Sequence, residues 1–312
     1  MANIQLKDNK LVHLLELKNL PKSHIENIIL TADKLINNGK LSKSKELDDM
    51  SVANLFFEPS TRTRNTFEIA AKRSSAQVIN VDIQNSATKK NESLLDTMHT
   101  LEAMQIDMFV IRHSGDDIAK FIAENTKSVA IINAGGGTEE HPTQGLLDCL
   151  TIYQHKPNFA NLTITIVGDI KNSRVAHSGI YALSVLGVKN IRLVSPVSLS
   201  YTAQNCVNYS NIDEALKNAD VVMTLRLQKE RMLEAHIPDE TEYFQQFGIT
   251  IERMALAKKD AILMHPGPIN RGVELSSEVA DGTQAVILQQ VTNGIAVRMA
   301  VMQILAKNLN ND

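Results

Sequence analysis

With 312 residues, 43% of them hydrophobic and 21% charged, the chain carries enough apolar material for two buried cores and too little polar excess for extensive disorder. A formal net charge of -3 excludes the broad basic face that nucleic acid requires, so any anion site must be local. The only two cysteines, Cys149 and Cys206, lie far apart and outside any zinc-ligand spacing, which predicts two buried free thiols, no metal and no cofactor.

From the N-terminus, MANIQLKDNK lacks the apolar stretch of a signal peptide, and no later run approaches the roughly 20 apolar residues that span a bilayer. A cytoplasmic protein without membrane contact is expected. Residues 11 to about 38 read as a long helical region interrupted at Pro21. Short β-branched or apolar runs follow at 52–57, 77–81, 107–112 and 128–133, each succeeded by a segment that reads as helix or loop. An amphipathic helix over 143–153 then leads to a second series of strands at 162–167, 191–194, 220–224 and 261–264, separated by helical stretches such as 174–186 and 212–218. The alternation predicts an α/β fold of two domains, each a parallel β-sheet flanked by helices, joined by connecting helices. Residues 1–142 form the first domain, completed by a C-terminal helix over 290–312, and 143–289 form the second. Within that last helix Gly294 costs about 1 kcal/mol relative to alanine, which points to a packing role.

Chemistry concentrates first in FFEPSTRTRNTFE, residues 56–68, where an apolar strand runs into Glu58-Pro59 and a helix opens on hydroxyls and cations. The unpaired N–H groups and dipole of a helix N-terminus favour an anion, while Ser60, Thr61 and Thr63 add hydroxyl donors and Arg62 a forked charge. Taken alone, a Ser-Thr pair is a helix cap, but two arginines interleaved with three hydroxyls suit a phosphate better. HPTQ at 141–144 follows a strand ending in triple glycine, at the end of a parallel sheet where such folds bind ligands. There His141 can polarise a carbonyl oxygen and Gln144 can face the same group. IVGD at 166–169 has the strand-then-glycine pattern of nucleotide-binding dehydrogenases but lacks GxGxxG, which leaves that alternative weak.

Together FFEPSTRTR and HPTQ resemble the transcarbamoylase family, over essentially the whole chain. The resemblance implies a transferase with a carbamoyl phosphate domain, a second-substrate domain and a last helix that returns to the first. It implies that Ser60, Thr61, Arg62 and Thr63 bind the phosphate, that Arg112 reaches the phosphate and carbonyl side, and that His141 and Gln144 hold the carbamoyl oxygen and amide. Arg62, Thr63, Arg112 and His141 are the catalytic candidates. In HPGPINRGVE, residues 265–274, the backbone at Gly267 and Pro268 is expected to accept from the carbamoyl amide. Ser86 and Lys90 match a loop that reaches a neighbouring subunit's active site, which implies a homotrimer with shared sites. The sequence leaves open whether such a trimer joins regulatory or dihydroorotase-type chains.

The second substrate is decided in the second half. Arg174 follows the strand at 162–167, and Arg226 and Gln228 follow the strand at 220–224. Two arginines suit the two carboxylates of L-aspartate, with Lys90 completing the set, and would repel the cationic side chain of ornithine. The His-Cys-Leu-Pro and Ser-Met-Gly motifs of ornithine enzymes do not occur; the corresponding end reads His265-Pro266-Gly267-Pro268. The expected reaction is therefore carbamoyl transfer to aspartate, an early step of pyrimidine biosynthesis, with transfer to ornithine or another amino acid as the alternative. Glu58 is a candidate partner for Arg174 or Arg231 when the domains close over the substrates.

Overall fold

The computed structural model describes residues 3–81, 93–227 and 239–309. The chain divides into two compact units, Met1–Leu150 with Thr292–Asp312, and Thr151–Val291. Among the described residues no helix is long and apolar enough to cross a membrane.

The first unit opens with a small hairpin, β1 (Leu6–Lys7) and β2 (Lys10–Leu11). The helix expected over 11–38 forms only as α1 (Lys22–Lys34), for which Pro21 is the N-cap residue. Ahead of it the chain is extended: Leu14 bridges Ile132 in parallel, its N–H donating to Ile131 O at 2.8 Å while Asn133 N–H donates to Leu14 O at 2.9 Å. Buried Leu11, Leu14, Leu15, Leu17 and Leu20 are spaced well enough for a helix, but a sheet edge offers backbone partners as well as burial. The tertiary contact overrides the local pattern.

A second hairpin, β3 (Ile36–Asn37) and β4 (Lys40–Leu41), leads into a four-stranded sheet of β5 (Ser51–Phe56), β6 (Gln77–Val81), β7 (Met108–His113) and β8 (Ala130–Gly136). The strand order is β6-β5-β7-β8 and every pairing is parallel. Helices α2 (Thr61–Arg73), α3 (Leu94–Ala103) and α4 (Ile118–Asn125) lie on the connections. Leu55, Phe109, Ile111 and Ile131 are buried against Met98 and Ile122, and the central strands are apolar at most positions on both faces, with Asn54 a buried exception.

Helix α5 (Pro142–His155) follows β8 and runs through the division between the units. The second sheet contains β9 (Thr163–Val167), β10 (Asn190–Val194), β11 (Cys206–Tyr209), β12 (Val221–Thr224) and β13 (Ile262–Met264), in the order β11-β10-β9-β12-β13. All four pairings are parallel. Helices α6 (Arg174–Leu186), α7 (Ile212–Leu216), α8 (Glu240–Phe247), α9 (Ile251–Met254) and α10 (Ser277–Ala280) complete the unit, and α11 (Ile287–Leu309) carries the chain back to the first. Strand β11 has no counterpart among the sequence expectations, because an edge strand with Val207 exposed shows no apolar run. It also corrects the expectation of two buried thiols: Cys149 is fully buried, whereas Cys206 on this edge is half-buried.

One histidine ties the extended N-terminal segment to the sheet. His13 Nδ1 accepts the Ile131 N–H at 3.1 Å, and burial pushes its pKa down to about 4. The unfolded chain takes up this proton near 6.5 and the folded chain does so only near 4, so stability is flat above 6.5 and falls as pH drops through that window, by up to about 1.4 kcal/mol per unit. His13→Gln keeps an acceptor without the titration. Urea midpoints between pH 7 and 4.5 should therefore fall less steeply for the variant, and identical slopes would remove His13 as the cause.

Candidate active site

In the first unit the chemistry-bearing segments leave neighbouring strands at their C-terminal ends. Phe56 pairs with Arg112 across β5 and β7, and the Phe57 N–H donates to Arg112 O at 2.8 Å. His113 pairs with Gly136 across β7 and β8. The start of α2, the end of β7 and the turn leading into α5 therefore open at the same end of one sheet, the position where α/β sheets bind ligands.

At the start of α2, Ser60 is the N-cap residue but its side chain makes no capping hydrogen bond. That separates it from ordinary caps such as Ser93 and Ser173, whose hydroxyls accept the N–H groups of Asp96 and Ala176. Thr61 and Arg62 are exposed and Thr63 is half-buried. The first turn of α2 thus gathers backbone N–H groups, hydroxyls and a guanidinium on one short stretch of chain, the set of donors that suits an anion.

Arg112 is better fixed than the sequence alone indicates. Its Nη1 donates to Ala134 O at 3.3 Å and its Nε lies 3.4 Å from Glu58 Oε2, so the guanidinium is held from β8 on one side and from the β5–α2 turn on the other. Glu58 thereby pairs within its own unit. The triple glycine continues the strand into a tight turn. Gly136 ends β8, and Gly137 adopts φ +44, where an added Cβ would fall 1.7 Å from Asp116 Oδ1. Beyond it Glu140 Oε1 accepts from the Leu17 and Lys18 N–H groups at 3.3 and 3.4 Å, which anchors the residue before His141. His141 is buried, Pro142 begins α5, and the N–H groups of Gln144 and Gly145 donate to His141 O. Gln144 Nε2 donates to Asp148 Oδ1 at 3.1 Å.

The second unit repeats the arrangement at the ends of β9, β12 and β13, which are adjacent. Arg174 begins α6 after β9 and is buried; Arg226 follows β12 and is half-buried. Its neighbours fix its backbone on both sides, with the Leu225 N–H donating to Val167 O at 2.8 Å and the Leu227 N–H to Glu274 Oε1 at 3.1 Å. Glu274, 2% exposed, also accepts from the Asn270 N–H and Nδ2, each at 2.7 Å, and its Oε2 lies 3.7 Å from His265 Nε2. His265 Nδ1 accepts the Gly267 N–H at 2.7 Å, so this ring nitrogen carries no proton and the loop holding Gly267 and Pro268 is clamped to its root. The Gly267-Pro268 peptide bond is cis. Sequence reading passed over the part played by Glu274, because nothing in the string distinguishes it from a surface acid.

Ser86, Lys90, Gln228 and Arg231 lie outside the described residues. Among the described residues no group of three or more His, Cys, Asp or Glu is placed to hold a metal ion.

A sequence model for the aspartate/ornithine carbamoyltransferase carbamoyl-P binding domain matches residues 12–154, and one for the Asp/Orn binding domain of the same family matches residues 160–305. The chain is 63% identical, over 97% of its length and 97% of the relative's, to an aspartate carbamoyltransferase catalytic subunit of Vesicomyosocius okutanii. A protein of the same description from Ruthia magnifica is also 63% identical, over 97% of this chain and 96% of its own. Among solved structures, aspartate transcarbamoylase from Trypanosoma cruzi in complex with carbamoyl aspartate and phosphate aligns with a TM-score of 0.84 at 31% identity, covering 94% of this chain and 95% of that one. Ornithine carbamoyltransferase from Pyrococcus furiosus aligns with a TM-score of 0.83 at 25% identity, covering 95% and 97%.

Proposed function

This chain belongs to the aspartate/ornithine carbamoyltransferase family, and on that premise we infer that it transfers the carbamoyl group of carbamoyl phosphate to L-aspartate, giving N-carbamoyl-L-aspartate and phosphate in an early step of pyrimidine biosynthesis. The fold does not choose the amine, since an ornithine enzyme superposes as well as an aspartate enzyme. The observation that carries aspartate is the pair of arginines, Arg174 and Arg226, at the ends of the adjacent strands β9 and β12. Two forked cations match two carboxylates and disfavour an amine with a cationic tail. The highly identical relatives, described as aspartate carbamoyltransferase catalytic subunits, support the same choice. Incubating the chain with carbamoyl phosphate and each amine should yield phosphate with aspartate and none above background with ornithine; the reverse preference would overturn the assignment.

In the mechanism that follows, Ser60, Thr61, Arg62 and Thr63 bind the phosphate at the start of α2, and Arg112 bridges the phosphate and the carbonyl oxygen. His141 donates to that oxygen and Gln144 contacts the amide. As the neutral amine attacks, negative charge grows on the carbonyl oxygen and then on the departing phosphate, both faced by fixed donors, so positioning and preorganised electrostatics supply the rate. The leaving phosphate is the natural acceptor of the amine proton. No covalent enzyme intermediate is needed.

Gly267 and Pro268 offer backbone oxygens to the carbamoyl amide, and Gln228 and Lys90 join the arginines at aspartate. The relatives' description as a catalytic subunit supports an oligomer. A homotrimer in which Ser86 and Lys90 enter the neighbour's site is the assembly we infer. We place it in the cytoplasm, where the free cysteines Cys149 and Cys206 stay reduced.

A further inference from the structure

Beneath the carbamoyl site a buried acid and a buried base have no assigned part. Asp148 lies one turn along α5 from Gln144, is 1% exposed, and accepts the Gln144 Nε2 hydrogen at 3.1 Å. Arg298 of α11 is 3% exposed. Its guanidinium carbon stands 4.8 Å from the ring centroid of Phe67 on α2, and its Nη1 donates to Gly294 O at 2.8 Å. This explains the glycine inside a long helix, since a Cβ at Gly294 would meet Arg298 Nη1 at 2.7 Å. Burial pushes the Arg298 pKa down to about 9, with Arg112 acting in the same direction and Asp148 opposing both. It remains a cation at neutral pH. A buried carboxylate needs such a countercharge.

The consequence falls on Gln144. A side-chain amide offers a donor on one arm and an acceptor on the other, and an ionised carboxylate can only accept. Asp148 therefore dictates which arm turns inward. We propose that Asp148, backed by Arg298, is a positioning residue that locks the Gln144 nitrogen inward and its oxygen outward, so that the site reads the N–H of a carbamoyl group and discriminates against acyl phosphates that lack it. The inference rests on the placement of carbamoyl phosphate at this site given above. An acetyl group, with a methyl in place of the amide, leaves the Gln144 oxygen without a donor in a desolvated site, the situation in which polar recognition discriminates most.

The near-isosteric change Asp148→Asn replaces a group that can only accept with one that can also donate, and, with the positive charge of Arg298 favouring an oxygen on its side, turns the new nitrogen to Gln144, which reverses the Gln144 amide. In the full-length enzyme we expect the KM for carbamoyl phosphate to rise about tenfold, while the Ki of acetyl phosphate as a competitor stays within about twofold. On a Gln144→Leu background the same change should alter neither constant, because Asp148 acts through Gln144. Should loss of the buried charge balance prevent folding, the paired replacement Asp148→Leu with Arg298→Met leaves no buried ion and still frees the amide; discrimination between the two acyl phosphates should then fall about threefold. Equal weakening of both ligands, an unchanged KM, or full additivity with Gln144→Leu would overturn the proposal. If the unaltered enzyme failed to turn over carbamoyl phosphate, the functional assignment itself would fall instead.

Discussion

Replacing Arg62 with alanine lowers kcat/KM for carbamoyl transfer by about a thousandfold, as expected for removing one preorganised cation from the group that leaves. The loss is not larger because the first-turn amides of α2, the Ser60 hydroxyl and the independently held Arg112 remain. It is not smaller because a guanidinium can meet phosphate with two parallel hydrogen bonds, a geometry that neither lysine nor a hydroxyl reproduces. Arg62 is exposed, so its removal opens no cavity in the core and the melting temperature should move little. Steady-state kinetics with both substrates, together with thermal unfolding, separate these outcomes. A stable variant with undiminished kcat/KM would remove Arg62 from the site.

The second large effect is expected at Arg226. Changing it to alanine should raise the KM for aspartate about a hundredfold, the typical cost of losing a charge-assisted bidentate pair, while binding of carbamoyl phosphate by equilibrium dialysis stays unchanged. The separation follows from the fold, because Arg226 stands in the second unit and the start of α2, the proposed phosphate site, in the first. Arg226→Lys keeps the charge but loses the fork, so it should recover only part of the deficit. If dialysis showed carbamoyl phosphate binding lost along with aspartate, Arg226 would be acting on the whole fold rather than on one carboxylate.

Most of the architecture is legible in the string because parallel strands buried on both faces are mainly apolar, as β5, β7, β8, β9 and β12 are despite Asn54, Asn133 and Thr165 within them. Where that signal is absent the reading fails. Strand β11 sits at an edge with half its side chains in solvent, and the leucines between Leu11 and Leu20 fit two periodicities until the backbone of Ile131 and Asn133 decides between them. The candidate site is legible in a different way. Hydroxyls and arginines at the start of α2 and the HPTQ turn advertise their chemistry by type and order, whereas Asp148, Arg298 and Glu274 act only through what they touch. One of these had a readable sign. Gln144 and Asp148 are four residues apart on a helix, a spacing that brings their side chains together. Nothing local in the sequence could bring Arg298 to them from 150 residues away.

The return of α11 to the first unit has a consequence for how the protein is made. Gln303 Nε2 donates to Ser44 Oγ at 2.8 Å, Asn308 Nδ2 to Leu11 O at 2.9 Å, and the Arg298 guanidinium covers Phe67, so the earliest and latest stretches of the chain are stitched to each other. On the ribosome the residues of 151–291 are all made before 292–312, while the unit begun first waits for that later segment. A nascent chain stopped at residue 291 should protect its second half from protease and leave its first half open to cutting.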